Sequence, residues 1–512
     1  MTQNASLPHR GAVATPHASA TEVGAAVLRA GGNAIDAAVA AAAALCVVYP
    51  NNVALGSDLV ALVQTPSGEV IEMNATGGAP LGRDLDGMRS RHGDALPMYG
   101  ADTINVPGAV RGWELMLMLG GSRSWSELLQ PAIGLARDGV PMPSSVAKGI
   151  RSLEDLLLAD PGCAEVFFRD GQPIAEGELF QQPALANTLE LLANTGPDEF
   201  YRGELASRWL SALQERGSAL TTRDLESFAP RTGPSLSVQL GELTVHSSRP
   251  NTQGFALLRA LREAMTAGAH GIDPLALALA FTRTNAIRDQ YLADPQFGGA
   301  SGEELLEVPV PERVDSQFKG RPMGDTIGIA VSSADGYAVS LIQSVYFQFG
   351  AAVLDPSTGI LFQNRGTSFS LSPKAANAYA PGKRPSHTLM PVLIHDGGTL
   401  RYVSSTMGGQ GQPQIHAQLL AAGLAGDSPA EAVARPRWLV GRQAPADTPA
   451  TVTVEGDVDD ALITRFLEAG LEPKSVPQWS DSVGHANLIE IRASGEVLAA
   501  SDPRSDGSAT VV

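Results

Sequence analysis

The run AIDAAVAAAAALCVV, residues 34 to 48, constrains this chain more than any other stretch. It carries one charge, Asp36, and otherwise only apolar side chains, most of them alanine. A helix of that make-up has no polar face to turn to water, so it must be buried. Its small side chains imply close packing, as where a helix lies on a sheet. The uninterrupted part, Ala37 to Val48, is too short and too Ala-rich to span a bilayer. Asn33 stands where an N-cap belongs, and the preceding helix, ATEVGAAVLRAGG, finds its stop at Gly31-Gly32.

Around this helix the pattern alternates. SDLVALVQTPSGEVIEMNA predicts two strands joined by a Pro-Ser-Gly turn. Residues 110 to 230 are mostly helical, as in SWSELLQPAIGLARDG and PALANTLELLANTG, and residues 254 to 293 continue in that style. From residue 325 the character changes to strands: TIGIAVSS, YAVSLIQS, GILFQN, TLMPVLIHD and RYVSSTMG. Helices return at QIHAQLLAAGLAG and DDALITRFLEAG, and the end is β-like again. The 512 residues would by length suggest several domains, but large sandwiches of helices and sheets run long as one unit. There is no internal repeat and no low-complexity linker.

The change of character coincides with an oddity. Residues 308 to 325, VPVPERVDSQFKGRPMGD, have three prolines, mixed charge and no period, and read as an exposed, mobile loop. The strand that follows opens on Asp325-Thr326, a lone hydroxyl directly after a carboxylate. A Thr hydroxyl is a poor nucleophile at neutral pH unless a base sits beside it. One solution is the residue's own α-amine, freed when the preceding peptide bond is cut. That amine titrates near roughly pH 8, so modest desolvation brings it to the neutral base form. A cleavable loop before a strand-initial Thr is what this chemistry needs.

The strand returns through a turn centred on Asp335-Gly336. A two-residue loop would pair Thr326 near Val345, and a three-residue loop would pair it with Ser344; a slip of one residue would send Ser344 to the other face. Further on, STMGGQGQPQIH places Gly408 and Gly409 after a strand and before a helix, where backbone N–H groups can hold an oxyanion.

Other chemistries lack their signatures. GxSxG, HExxH, paired CxxC and the P-loop are all missing, and AGGNAID lacks dinucleotide-loop spacing. A net charge of −18 argues against nucleic acid or an anionic membrane as partner. Of the two cysteines, Cys46 lies in an apolar run and reads as a buried small hydrophobe, and the pair makes no disulfide framework. The first residues show no basic segment followed by an apolar core, so the expectation is a soluble, cytoplasmic protein.

Taken in order, AGGNAIDAAVAAAAAL, NVPGAVRGW, LLQPAIGLARDGV, GPDEFYRG, RPNTQGFALLRAL, the hairpin with GAAVLDPSTGILFQN, APGKRPSHTLMP, MGG and ASDPRSDG resemble the γ-glutamyltransferase family of N-terminal-nucleophile hydrolases over nearly the whole chain. The resemblance implies an α+β fold, a four-layer αββα sandwich. It also implies a precursor that cuts itself into a large subunit, residues 1–325, and a small subunit, residues 326–512, intertwined as one unit. The nucleophile would be Thr326, with cleavage between Asp325 and Thr326. Ser344 matches the family's supporting hydroxyl, as a Thr-to-Ser change, and Gly408 and Gly409 match its oxyanion glycines. No metal or organic cofactor is implied. A homodimer of the processed heterodimer is compatible with this reading.

The substrate pocket departs from the family. The Arg of its Arg-Glu-x-Ala-Pro segment falls on Thr76, in ATGGAP, and a neutral hydroxyl cannot supply the bidentate ion pair. The family's Asn falls on Tyr346, its Gln and Asp on Arg365 and Ser368, its paired serines on His387 and Thr388, and the position after the nucleophile is Ile327. Loss of the Asp leaves a desolvated ammonium without an acceptor. A new Arg would repel that ammonium and suit a carboxylate. The expectation is therefore an amide hydrolase or acyltransferase for a small carboxylate-bearing acyl group, as in the family's oxamate amidohydrolases and dicarboxylate acylases. Arg365 reads the carboxylate in that expectation, unless it serves a structural ion pair; His387 is either a pocket donor or a satisfied core histidine. The alternatives are an authentic γ-glutamyltransferase or glutathione hydrolase with a rebuilt pocket, and an unprocessed, inactive member.

Overall fold

A computed structural model describes residues 11–267, 271–312 and 325–512. Thirteen strands form two large sheets. In chain order they are β1 (Gly11–Thr15), β2 (Asp58–Gln64), β3 (Val70–Ala75), β4 (Arg231–Pro234), β5 (Leu236–Leu240), β6 (Leu243–Ser247), β7 (Asp325–Ser333), β8 (Ala338–Tyr346), β9 (Val392–Asp396), β10 (Thr399–Met407), β11 (His485–Ile491), β12 (Val497–Ser501) and β13 (Ser508–Val511). The first sheet runs β13-β1-β7-β8-β2-β3-β4 and the second β12-β11-β10-β9-β6-β5. All pairings within the two are antiparallel.

The layers follow from which face each side chain takes. Leu59, Ala61 and Val63 of β2, with Ile327, Ile329 and Val331 of β7, pack against helix α1 (Ala34–Val48). Leu62, Ala330, Ala338, Leu393, Val403 and Ile489 fill the space between the sheets. Ile394, Tyr402 and Leu488 face the far side, against helices α2 (Gly254–Ala267), α3 (Pro274–Tyr291) and α4 (Gln412–Leu424). The order is helix, sheet, sheet, helix, the αββα sandwich expected.

All fifteen residues of α1 are buried. Asn33 caps it in a capping box: its side chain accepts from Ile35 N and Asp36 N, and Asp36 accepts from Asn33 N. Enlarging one of its alanines would overpack the layer at about 1–3 kcal/mol. Cys46 and Cys163 are both buried and unbridged. Among the described residues no helix is long and apolar enough to cross a membrane.

Two strand readings shrink. GILFQN contributes only the two-residue bridge Ile360–Leu361, and TLMPVLIHD becomes strand only from Val392, after Pro391, which has no N–H to give a ladder. In the proline-rich loop, residues 313–324 lie outside the described residues. The hairpin also differs from a half-solvated one: from Thr326 to Ser333 and from Ala338 to Tyr346 every residue is buried. Its alternation sorts side chains between the helix layer and the facing sheet, so Ser344 is no solvated strand residue.

Candidate active site

The hairpin loop is the three-residue one. Ser333 N donates to Tyr337 O at 3.0 Å, and Gly336 takes the left-handed conformation the turn needs, φ +94°. Counting back, Ile327 pairs with Gln343 and Asp325 with Tyr346. The register therefore shifts at Thr326, which faces both Ser344 and Val345. This bulge lies where the chemistry is expected.

It aims the two hydroxyls at each other. Thr326 Oγ1 donates to Ser344 Oγ at 3.1 Å. Ser344 Oγ in turn donates to the Asp325 carbonyl at 2.6 Å and accepts from Tyr346 N at 2.7 Å. Asn52 Nδ2 reaches the Thr326 carbonyl at 3.4 Å. Thr326 is wholly buried. The Asp325 carboxyl is pushed up to about 7 by burial and by Asp481, against Gln348 and Lys148.

The two sheets meet so closely here that only glycine fits: a Cβ on Gly328 would lie 2.7 Å from Thr406 N. One level further along, Ser340, which pairs with Ala330, donates to Ser404 O at 2.7 Å. Moving back along β7 from Ala330 to Gly328 thus runs forward along β10 from Ser404 to Thr406. Two more residues on each strand bring Thr326 and Gly408 to the same end of the sandwich. Gly408 and Gly409 have φ of +151° and +51°, which side-chain-bearing residues rarely adopt.

A row of polar groups crosses this end of the first sheet. Ser344 pairs with Asp58, the first residue of β2, and Thr76 follows the last residue of β3. Thr76 is fully buried; its hydroxyl donates to Asn74 Oδ1 at 2.6 Å and accepts from Asn251 Nδ2 at 3.3 Å. Asp58 accepts from Gly77 N at 3.1 Å and meets His387 Nε2 at 3.1 Å. The other ring nitrogen, Nδ1, accepts from Leu389 N at 3.3 Å, so the ring proton sits on Nε2 and points at Asp58. Both nitrogens are engaged, and His387 is a satisfied core histidine rather than a free pocket donor. Its pKa is pushed well down by burial, Arg365 and Arg384, while burial lifts Asp58 to about 7 against the pull of Arg365, the Gly77 N–H and Arg384.

Arg365 is 1% exposed. Its guanidinium stacks on the Tyr346 ring, 3.5 Å from the centroid, and donates Nη2 to Thr388 Oγ1 at 2.9 Å and Nη1 to Ser368 Oγ at 3.4 Å. Nε has no partner. Among the described residues Arg365 makes no ion pair at contact distance; the carboxylate that its charge feels is Asp58, at longer range. Burial draws its pKa down to about 10, opposed by Tyr346 and Asp58, so it stays charged at neutral pH. Tyr346 reaches it with φ +84°, a strained conformation for an aromatic residue.

A cleft of about 610 Å³ opens beside these groups, lined by Tyr346, Ser368, His387, Thr388, Gln253 and Gln410. Tyr346, two residues from Ser344, is its lining residue nearest in the chain to the hydroxyl pair; Thr326, Ser344, Gly408, Gly409 and Arg365 lie behind its wall. Ile327 packs into the helix-side core, away from the facing sheet. Asp58, Asn52 and Gln253 were missed in the sequence. Asp58 had a signal, a lone carboxylate opening an apolar strand as Asp325 does; Asn52 and Gln253 had none. Among the described residues no cluster of potential metal ligands is present.

The sequence profile of the gamma-glutamyltranspeptidase family matches residues 20–512, and the chain belongs to that family. It is 36% identical to an oxamate amidohydrolase proenzyme of Klebsiella pneumoniae, over 98% of both chains. It is 35% identical to a glutathione hydrolase-like YwrD proenzyme of Bacillus subtilis, over 97% of both. The solved cephalosporin acylase of Bacillus halodurans superposes with a TM-score of 0.88 at 29% identity, covering 100% of this chain and 97% of that one.

Proposed function

We propose that this enzyme of the gamma-glutamyltranspeptidase family cleaves itself between Asp325 and Thr326 and then hydrolyses small amides whose acyl group carries a second carboxylate. The observation that carries the substrate reading is Arg365: a buried guanidinium, stacked, charged and without a carboxylate of its own, beside a cleft. A desolvated cation with donors to spare is a site for an anion.

The Ser344–Asp325 hydrogen bond supports the processing step. Ser344 polarises the Asp325 carbonyl while Thr326 Oγ attacks its carbon. The peptide C–N bond breaks as the hydroxyl proton moves to nitrogen, leaving an ester and a free α-amine. Water hydrolyses the ester, regenerating the Thr326 hydroxyl and a carboxylate on Asp325.

In turnover the new amine takes the Thr326 hydroxyl proton, and Oγ attacks the substrate carbonyl. The N–H groups of Gly408 and Gly409 receive the oxyanion. The amine departs with the proton, and water resolves the acyl-enzyme. Arg365, Thr388 and Ser368 hold the distal carboxylate. Thr76 and Ser368 offer no acidic or basic pair for an amino-acid head group, which disfavours a γ-glutamyl substrate.

The relatives' names span both substrate classes, so the test is competition. Oxamate and dicarboxylate monoamides should be turned over in preference to glutathione and γ-glutamyl-p-nitroanilide. Robust γ-glutamyl turnover with no hydrolysis of the other amides would refute the substrate reading. Intact mass tests processing: one uncut chain near 53 kDa after long incubation, unchanged in Thr326→Ala, points to the inactive alternative.

A further inference from the structure

Gln253 stands immediately before α2, wholly buried, between the two ends of the site. Its Nε2 donates to the Thr388 carbonyl at 2.8 Å and to the Gly409 carbonyl at 2.8 Å. Its Oε1 accepts from Arg288 Nη1 at 3.5 Å. Two carbonyl acceptors can be served only by the NH₂ side of the amide, so its partners dictate its orientation. Arg288 reinforces the same loop, donating Nη1 to the Gln410 carbonyl at 3.3 Å and Nη2 to Gln410 Oε1 at 2.8 Å.

One side chain therefore ties together two backbones with different tasks. Thr388 carries the hydroxyl that holds Arg365. Gly408 and Gly409 are consecutive glycines at positive φ, with no side chains of their own to fix their peptide planes. Among the described residues this amide is the direct hydrogen-bonded link between them.

We infer that Gln253 is a positioning residue that couples carboxylate occupancy at Arg365 to the geometry of the Gly408–Gly409 loop. The inference rests on the reading of Arg365 as the acyl-carboxylate site and of the two glycines as the oxyanion donors. A carboxylate drawn onto Arg365 and Thr388 steadies the Thr388 backbone, and through Gln253 steadies the Gly409–Gln410 peptide, which adjoins the one that carries the Gly409 N–H. The carboxylate then raises kcat as well as lowering KM, so binding at one end is spent on the transition state at the other.

The test compares a carboxylate-bearing amide with its neutral counterpart in the full-length, processed protein. Gln253→Met keeps the length and loses both donors; Gln253→Glu keeps the shape with Arg288 as partner and serves if the first variant is insoluble or uncut. In either, kcat for the carboxylate substrate should fall about ten- to a hundredfold. The KM advantage of the carboxylate should remain, and the kcat advantage should vanish. Arg365→Gln should lower kcat in the wild type but raise only KM in the Gln253→Met background. An unchanged kcat ratio between the two substrates, or an equal fall for both, overturns the coupling. If the wild type shows no preference for the carboxylate, the substrate reading fails first. The tether then still requires Gln253→Met to lower kcat on the neutral amide at constant KM, and it falls if kcat holds.

Discussion

At one end of the site Thr326 and Ser344 sit on strands, Gly408 and Gly409 in the turn that follows β10, and none of the four side chains is charged; at the other, Arg365, Thr388 and His387 come from loops, with the buried Asp58 carboxylate beneath them. The first end is set by register. A bulge aims two hydroxyls at each other, and the close approach of two sheets brings the glycines to the same end of the sandwich. The second end is set by electrostatics, where a buried cation is balanced at a distance by a carboxylate that a histidine engages. On the proposed reading, an enzyme arranged this way can change its substrate without disturbing its nucleophile, because the two ends share few elements: the end of β8 from Ser344 to Tyr346, the polar row beside it on β2, and Gln253.

The most damaging break at the catalytic end is Thr326→Ala. It should abolish both self-cleavage and turnover, a loss on the order of 10⁴-fold or more, as removal of a nucleophile does. Mass spectrometry should find a single chain near 53 kDa instead of two pieces. Ser344→Ala removes a donor from the Asp325 carbonyl and the acceptor for Thr326. It should slow cleavage and kcat by roughly 10²-fold, the scale of one lost oxyanion-type donor. If Ser344→Ala cleaves at the wild-type rate, the hydroxyl pair is only packing.

At the recognition end, Arg365→Gln should leave cleavage intact. It should raise KM for a carboxylate substrate by about 10–100-fold, the worth of a charge-assisted hydrogen bond in a dry site. The neutral counterpart should change little. Equal losses on both substrates would mean that Arg365 supports the loop rather than reading the acyl group, and the contrast between the two ends would dissolve.

These ends were unequally legible in the sequence. At the catalytic end period and turn chemistry predict the hairpin and the glycine turn, but the roles of Thr326, Ser344, Gly408 and Gly409 came from the family resemblance; the choice between two loop lengths stayed open, and a one-residue difference there moves Ser344. The recognition end joins residues 58, 76, 346, 365 and 387 from separate segments, and no local pattern places them together. So Arg365 was identifiable as an added charge, while its stacking on Tyr346 was not. His387 had two open readings because its partners, Asp58 and Leu389 N, lie 329 and two residues away. The layer order followed from a helix that could face no water and strands that alternate.

The smallest expected effect lies in the charge balance of the recognition end. Asp58 faces His387, Arg365, Arg384 and the Gly77 N–H, and its pKa of about 7 lies above its unfolded value near roughly 3.9. A carboxyl with a raised folded pKa contributes stability that is complete below the unfolded pKa and is lost as pH rises through about 7. The same titration acts on binding. Below about 7 Asp58 is neutral and Arg365 offers its charge to a ligand; above it the ionised Asp58 competes. Arg365, at about 10, stays charged throughout, and His387 stays neutral. By linkage, an anion on Arg365 removes a charge that holds the Asp58 pKa down, so binding takes up a proton. For a dicarboxylate inhibitor already fully ionised at pH 6, Ki should weaken by roughly three- to tenfold between pH 6 and 8, about the effect of half to one pKa unit. The Thr326 amine titrates in both proteins, so the comparison with Asp58→Asn isolates the carboxyl: the variant should bind with a flatter profile and lose less stability over the same range. Parallel Ki profiles in the two proteins would show that Asp58 orients His387 without balancing Arg365.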